Sequence, residues 1–307
     1  MCEDFQQSQM KEQEINPLVK IVEKPPSSRR QYCTQDDAGK CVPALYPYAT
    51  KYRITEKYRL IGCAVEKNFS TMLTAILCYL YDEKKFLEYK RNFSTEAYHR
   101  RFCASRNEYS TLAEIAGNLT NTSMDGWQKI AVVRDPLEKF VSGFTDKCIR
   151  EKTWKKFPGR CNKCKTNLKC FMERQYTRLL RRAEGGRSPV NFDDDHFSPQ
   201  NWRCEFSTHL HEFLILNFDT LDSSGFMNNL LKLLKKSNVT ENSIGFIKSS
   251  VELKRTPHST KDTVERDQTK RAILSNPYLL DLLIKMYFFD YVLFGYRIPD
   301  VQAGVSD

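Results

Sequence analysis

The sequence predicts an α/β protein with a mainly parallel sheet flanked by helices, and three observations carry that prediction. Short runs rich in Ile, Val and Leu, "YRLIGCAV" (58–65), "KIAVVR" (129–134) and "EFLILNF" (212–218), have the composition of strands buried on both faces. Each run is followed by a helical pattern, and strand alternating with helix is the signature of this class. With 307 residues, 40% of them hydrophobic and 12% aromatic, the chain can bury a large core, which excludes a disordered protein.

Taken in order, residues 1–50 are polar and punctuated by Pro25-Pro26, Pro43 and Pro47, and read as a flexible stem or tail. Residues 51–300 form the folded domain, and 301–307 a short tail. The first strand leads into "STMLTAILCYLYDEKKFLEY". The second leads into "PLEKFVSGFTDKC", with apolar residues at 137, 140, 141 and 144. The third leads into "SSGFMNNLLKLLKKSN", where Phe226, Leu230, Leu231, Leu233 and Leu234 make the apolar stripe. Ligands of such sheets bind beyond the carboxyl ends of the strands, so the turns there are the place to look for chemistry.

The turn after the first strand, "EKNFST", packs Lys67, Asn68, Ser70 and Thr71 between strand and helix. A helix beginning near Ser70 presents unpaired N–H groups and the positive end of its dipole, the hydroxyls add donors, and Lys67 adds a full charge. That is an anion site in composition; the plainer alternative is that Ser70 only caps the helix. The turn has no glycine and does not fit GxxxxGK[ST], which disfavours an ordinary ATPase or kinase.

The second strand ends on Arg134, turns at Asp135, starts a helix at Pro136 and carries Ser142 eight residues after the arginine. Together with "EKNFST", this resembles the sulfotransferase superfamily and its P-loop-like sulfotransferase fold. There the first turn grips the 5′-phosphosulfate of 3′-phosphoadenosine 5′-phosphosulfate (PAPS), and the Arg…Ser pair grips its 3′-phosphate. Within it the chain is most similar to Golgi carbohydrate sulfotransferases of the chondroitin 4-O type, in a divergent nematode-like branch, from about Tyr58 to Tyr296. Later landmarks are "DDHFSPQNWRC" (194–204), "FLILNFDTL" (213–221) and "LLIKMYFFDYVLFGY" (282–296). Phe197 stands where the family usually has Trp, and the first turn departs from the family's Pro-Lys pattern.

The resemblance implies that Lys67, Asn68, Ser70 and Thr71 line the 5′ side of the donor, that Arg134 and Ser142 line the 3′ side, and that no metal is required. Asn68 then carries no glycan despite its sequon. The reaction implied is transfer of a sulfuryl group from PAPS to a carbohydrate hydroxyl, with a glycosaminoglycan such as chondroitin as acceptor. Lys67 is then catalytic, stabilising charge on the leaving oxygen. His196 is the expected base, with His258 or one of Asp193, Asp194 and Asp195 as alternatives.

Net charge is +10, and the surplus is concentrated. Residues 151–187 hold twelve Lys/Arg against three Glu, a net +9 inside a basic, Cys-rich insertion spanning about 148–187. Charge by itself admits nucleic acid, anionic lipid, an acidic polysaccharide or a solvated basic face with no dedicated partner. The resemblance implies an acidic polysaccharide as the partner, and no nucleic acid is then expected. A nucleic-acid module is nevertheless the rival reading, since Trp154, Phe157, Phe171 and Tyr176 interleave with the charges. A catalytically weak glycan-binding pseudoenzyme is another.

Eleven cysteines leave two readings for Cys148, Cys161, Cys164 and Cys170. They could bind zinc or form disulfides, and the absence of a second Cys-x-x-Cys favours disulfides. Sequons at Asn68, Asn92, Asn118, Asn121 and Asn238 agree with an oxidising compartment, and the resemblance implies the Golgi lumen or membrane. No signal-like or membrane-spanning run is visible in the sequence, so either an anchor lies outside it or the protein is not lumenal.

Overall fold

The computed structural model describes residues 32–33, 39–96, 100–119, 123–186, 191–219, 222–252 and 263–300. Its sheet is built from β1 (Tyr52–Thr55), β2 (Leu60–Cys63), β3 (Glu108–Tyr109), β4 (Gln128–Arg134) and β5 (Phe213–Phe218). The spatial order is β3-β1-β2-β4-β5. β2, β4 and β5, the three apolar runs of the sequence, are parallel, with Cys63 beside Ala131 and Arg134 beside Phe218.

β1 pairs antiparallel with both β2 and β3. The sheet is therefore partly antiparallel: β2, β4 and β5 make its parallel part, and β1 and β3 extend it in the antiparallel sense. The cause is connection length: only Glu56–Tyr58, in a 3-10 turn, and the left-handed Arg59 (φ 47°) separate β1 from β2. A parallel crossover needs a dozen residues or more.

The helices are α1 (Ser70–Tyr81), α2 (Glu83–Glu88), α3 (Leu112–Asn118), α4 (Pro136–Phe144), α5 (Leu168–Ala183), α6 (Phe192–Phe197), α7 (Phe206–His209), α8 (Ser223–Lys236), α9 (Glu241–Glu252), α10 (Val264–Leu274) and α11 (Pro277–Leu293). The helical run after β2 breaks at Asp82, whose carboxylate accepts the Lys85 amide at 3.1 Å and so caps α2. Asp135 caps α4 by accepting the Glu138 amide at 2.9 Å, and Pro136 occupies the first helical position. Beyond Phe144 the helix widens into a π-helical segment, Thr145–Arg150.

Alternation along the strands divides the core. Leu60, Ile130, Val132 and Leu216 face a cluster with α1 and α8. Ile61, Cys63, Ala131 and Val133 face the other way, toward Ile115, Phe206 and Phe294. A third cluster joins α4, α5, α6 and α11 through Phe140, Phe144, Phe171, Phe197 and Tyr287. Gly143 makes the α4–α6 approach possible: a Cβ there would lie 2.8 Å from the Phe197 ring.

The end of the segment read as a stem is packed onto the domain. The Val42 amide donates to the Lys285 carbonyl at 2.9 Å. Trp202 Nε1 donates to the Pro43 carbonyl at 2.8 Å. Cys148 pairs with Cys161, and Cys164 with Cys170, so the disulfide reading of the insertion holds. Further disulfides join Cys33 to Cys41, Cys63 to Cys204 and Cys78 to Cys103. Among the described residues no helix is long and apolar enough to cross a membrane.

Candidate active site at the carboxyl ends of the parallel strands

After Cys63 the chain turns sharply. Lys67 (φ 69°) and Phe69 (φ 63°) take left-handed conformations on either side of Asn68, costly for non-glycine residues unless the surroundings hold them. Here they are held. The Phe69 ring packs on Phe218 at 5.4 Å and Phe226 at 4.9 Å between ring centroids, anchoring the turn to the end of β5 and to α8.

Phe69 occupies the cap position of α1 and supplies no capping side chain, so Ser70 is the first helical residue and not the cap. The amides of Ser70 and Thr71 have no hydrogen-bond partner among the described residues. Alternating backbone hands followed by a helix start turn successive N–H groups to one side, which makes an anion-binding concavity.

Asn68 is turned inward. It is fully buried, and its Nδ2 donates to the Val132 carbonyl at 3.2 Å and to Gln200 Oε1 at 2.6 Å. It braces the turn against β4, and its burial leaves no room for a glycan.

Lys67, with a side chain only 9% exposed, is ion-paired with Asp146 from the π-helical segment. Asp146 also pairs with Lys147 at 3.0 Å. Burial pushes the Lys67 ammonium down to about 8, with Asp146 opposing that shift and Lys147 adding to it.

Arg134, at the end of β4, meets the same turn. Its Nη1 donates to the Lys67 carbonyl at 3.1 Å, and its guanidinium lies 5.4 Å from the Phe218 ring centroid. Arg134 Nε is buried without a hydrogen-bond partner among the described residues. Burial lowers its pKa to about 10, with Glu138 opposing. Glu138 is shared: Arg134 Nη2 stands 3.9 Å from it, Lys270 Nζ 2.8 Å, and Arg266 also pairs with it. Arg266 also pairs with Asp267 at 3.2 Å, so Arg134 stands at the edge of a network of cations and carboxylates. Ser142 is buried one helical turn beyond Glu138 on the same face of α4.

His196, on α6, lies close enough to Lys67 for that charge to act on it. Its Nδ1 hydrogen-bonds the Phe192 carbonyl at 2.7 Å, which places the proton on Nδ1 and the lone pair on Nε2. Burial, and then the Lys67 charge, push it down to about 3, so the ring is neutral at physiological pH. The three aspartates before it are otherwise engaged. Asp193 accepts the Cys161 and Asn162 amides at 3.0 Å each, Asp194 pairs with Arg178 at 2.7 Å and Arg182 at 2.9 Å, and Asp195 pairs with Lys51 at 3.2 Å. His258 lies outside the described residues.

Sequence reasoning missed the residues that join these parts. Gln200, fully buried, accepts from Asn68 Nδ2 and from the Arg134 amide at 3.1 Å, and donates from Nε2 to the Arg134 carbonyl at 2.7 Å. Its own amide donates to Asp290 at 2.9 Å, and Asp290 also accepts the Asn201 amide at 2.8 Å. Gln200 thus sets the spacing between the first turn and the end of β4. Its signal was present only as a place inside "DDHFSPQNWRC". Lys139 was missed too: its buried Nζ donates to the carbonyls of His196 at 3.3 Å and Ser198 at 2.9 Å, tying the end of α6 to α4.

Of the four aromatic residues that interleave with the basic segment, Phe171 is wholly buried and Trp154 Nε1 donates to the Cys148 carbonyl at 3.0 Å. Tyr176 hydrogen-bonds the Lys40 carbonyl, and Phe157 is 44% exposed beneath Arg160.

Residues 50–297 match the model of the sulfotransferase family. The carbohydrate sulfotransferase chst-1 of Caenorhabditis elegans is 31% identical over 267 residues, 85% of this chain and 80% of its own length. An uncharacterized protein of the same organism is 28% identical over 273 residues, 88% of this chain and 75% of its own. No solved structure matches the chain.

Proposed function

The chain belongs to the sulfotransferase family, and from that premise we propose that it transfers a sulfuryl group from PAPS to a carbohydrate hydroxyl, with a glycosaminoglycan such as chondroitin as acceptor. The observation that carries the proposal is the contact of Arg134 Nη1 with the Lys67 carbonyl at 3.1 Å. It brings the two anion-binding motifs of the sequence into one site at the carboxyl edge of the sheet. A donor with phosphate groups at both ends fits the residues present: unpaired amides and a lysine in the first turn, and an arginine with an unpartnered buried Nε at the second. The carbohydrate acceptor is supported by the similarity to chst-1.

When bound, the donor supplies an activated sulfuryl group on a phosphate leaving group. The amides and hydroxyls of Ser70 and Thr71 hold its 5′ side, while Arg134 and Ser142, with Arg266 and Lys270 beside them, hold the 3′-phosphate. Asn68 acts indirectly, by bracing the turn. Lys67 opposes the charge that grows on the bridging oxygen as its bond to sulfur breaks, so it favours the transition state over the ground state. His196 Nε2 takes the proton of the acceptor hydroxyl as the new O–S bond forms. Positioning and electrostatics supply most of the effect, as in phosphoryl transfer. The disulfides support an oxidising compartment, for which we propose the Golgi lumen.

The test is transfer of radiolabelled sulfate from PAPS across a panel of glycan acceptors, alongside calorimetry with 3′,5′-adenosine bisphosphate, the desulfated product. Label in a glycan that requires Lys67 and Arg134 is the expected result. A protein that binds nucleotide and glycan but transfers no label is a binding protein, and one that binds no nucleotide refutes the donor site.

A further inference from the structure

The basic insertion contains a pocket that the donor site does not use. It has a volume of about 410 Å³ and lies between α5 and the Gly159–Lys163 turn. Arg174, Arg178 and Arg181 line it from one face of α5, at positions i, i+4 and i+7, and Lys163 lines it from the turn. Arg178 is paired with Asp194, which Arg182 shares. Arg174 spends one nitrogen on the Asn162 carbonyl at 2.8 Å. Lys163 and Arg181 are exposed and have no carboxylate partner among the described residues. The lining carboxylate, Glu173, is engaged by the Tyr278 hydroxyl at 2.9 Å.

The pocket is rigid by construction. Disulfides Cys148–Cys161 and Cys164–Cys170 pin the turn and the start of α5, and Asp193 holds the Cys161 and Asn162 amides. α6 supports it from behind through Asp193 and Asp194, and the same short helix carries His196. A chain seated here is therefore registered against the helix that carries the proposed base.

We propose that this pocket is a subsite for the sulfate or carboxylate groups of a polyanionic acceptor, at a distance from the bond being made. The inference rests on the carbohydrate-acceptor reading above. Arg174 and Arg181 are about 10 Å apart along the helix axis, at 1.5 Å per residue, a separation suited to successive charges on a polymer rather than to one phosphate. The lining contains no aromatic ring on which a base could stack, which favours a polysaccharide over a nucleic acid.

The test is direct binding to immobilised chondroitin sulfate and dextran sulfate, with neutral dextran as the blank. R174E/R181E is compared with K155E/K156E, which changes the net charge equally outside the pocket. The expected result is a loss of about tenfold or more in the pocket variant against less than about threefold in the other. R174A/R181A should give the same ranking without added repulsion, and affinity for 3′,5′-adenosine bisphosphate should be unchanged in all three. Equal losses in the two Glu variants would show diffuse attraction and overturn the subsite, as would no loss, or no polyanion binding by the wild type. Failure of the wild type to bind the nucleotide would sink the donor site and leave this comparison standing.

Discussion

Lys67, in the turn after β2, is ion-paired with Asp146, in the π-helical segment after α4, 79 residues further along the chain. The pairing aims the ammonium and favours its charged form in a place where burial works against it. Because a lysine is charged below its pKa, the Lys67 charge is present at neutral pH and lost as pH rises through about 8. For the donor, kcat/KM should fall along an alkaline limb near that pH. In Lys67→Arg the limb should move up out of range, and in Asp146→Asn, which removes the opposing carboxylate, it should move down. An identical limb in all three proteins would assign it to another group.

Lys67→Ala should depress turnover by a larger factor than it weakens binding of 3′,5′-adenosine bisphosphate, since the charge it meets grows only as the bond breaks. Calorimetry beside single-turnover rates makes the comparison. Equal losses would mean that Lys67 only binds.

Arg134→Ala removes a buried, charge-assisted contact and should weaken binding of the same nucleotide by about 1.5–3 kcal/mol. Arg134→Lys should recover only part of this, because an ammonium cannot reproduce the fork. Wild-type affinity in Arg134→Ala would remove this residue from the 3′-phosphate site.

Gln200→Leu keeps the volume but severs the link between Asn68 and both backbone polar groups of Arg134. The expected effect is nucleotide affinity down by about tenfold, with KM for the glycan changed far less. If both constants move together, Gln200 supports the fold in general and not the spacing of the donor motifs.

His196→Ala should lose most of its turnover while nucleotide binding persists. Since burial and the Lys67 charge hold the ring at about 3, no acidic limb belonging to His196 is expected between pH 5 and 7 in the wild type. Wild-type turnover in the variant would place the base elsewhere.

The Cys63–Cys204 disulfide closes a loop with a sequence separation of 141, tying the end of β2 to the segment just after Gln200. On loop entropy its removal by a double Cys→Ser change should cost up to about 5 kcal/mol, read by chemical denaturation. A change below about 1 kcal/mol would show that the folded state holds this junction without it.

The sequence alone determined the three parallel strands, because a short run rich in Ile, Val and Leu followed by a helical pattern is a local feature; β2 and β4 are buried along almost their whole length, while β5, at the sheet edge, is buried only in part. It also marked the two turns that meet at the carboxyl edge of the sheet, since a lysine with two hydroxyls before an apolar helix, and an arginine before Asp-Pro, are local patterns. Tertiary structure alone decided what those turns face. The antiparallel β1 follows from a connection of four residues, Glu56 to Arg59. The inward Asn68, the carboxylate opposite Lys67, the cations of α10 beside Arg134 and the bridge through Gln200 are contacts between residues about 65 to 130 positions apart. Such pairs leave no periodicity in the sequence, and glutamine is as ordinary in a loop as it is decisive in a buried hydrogen-bond network.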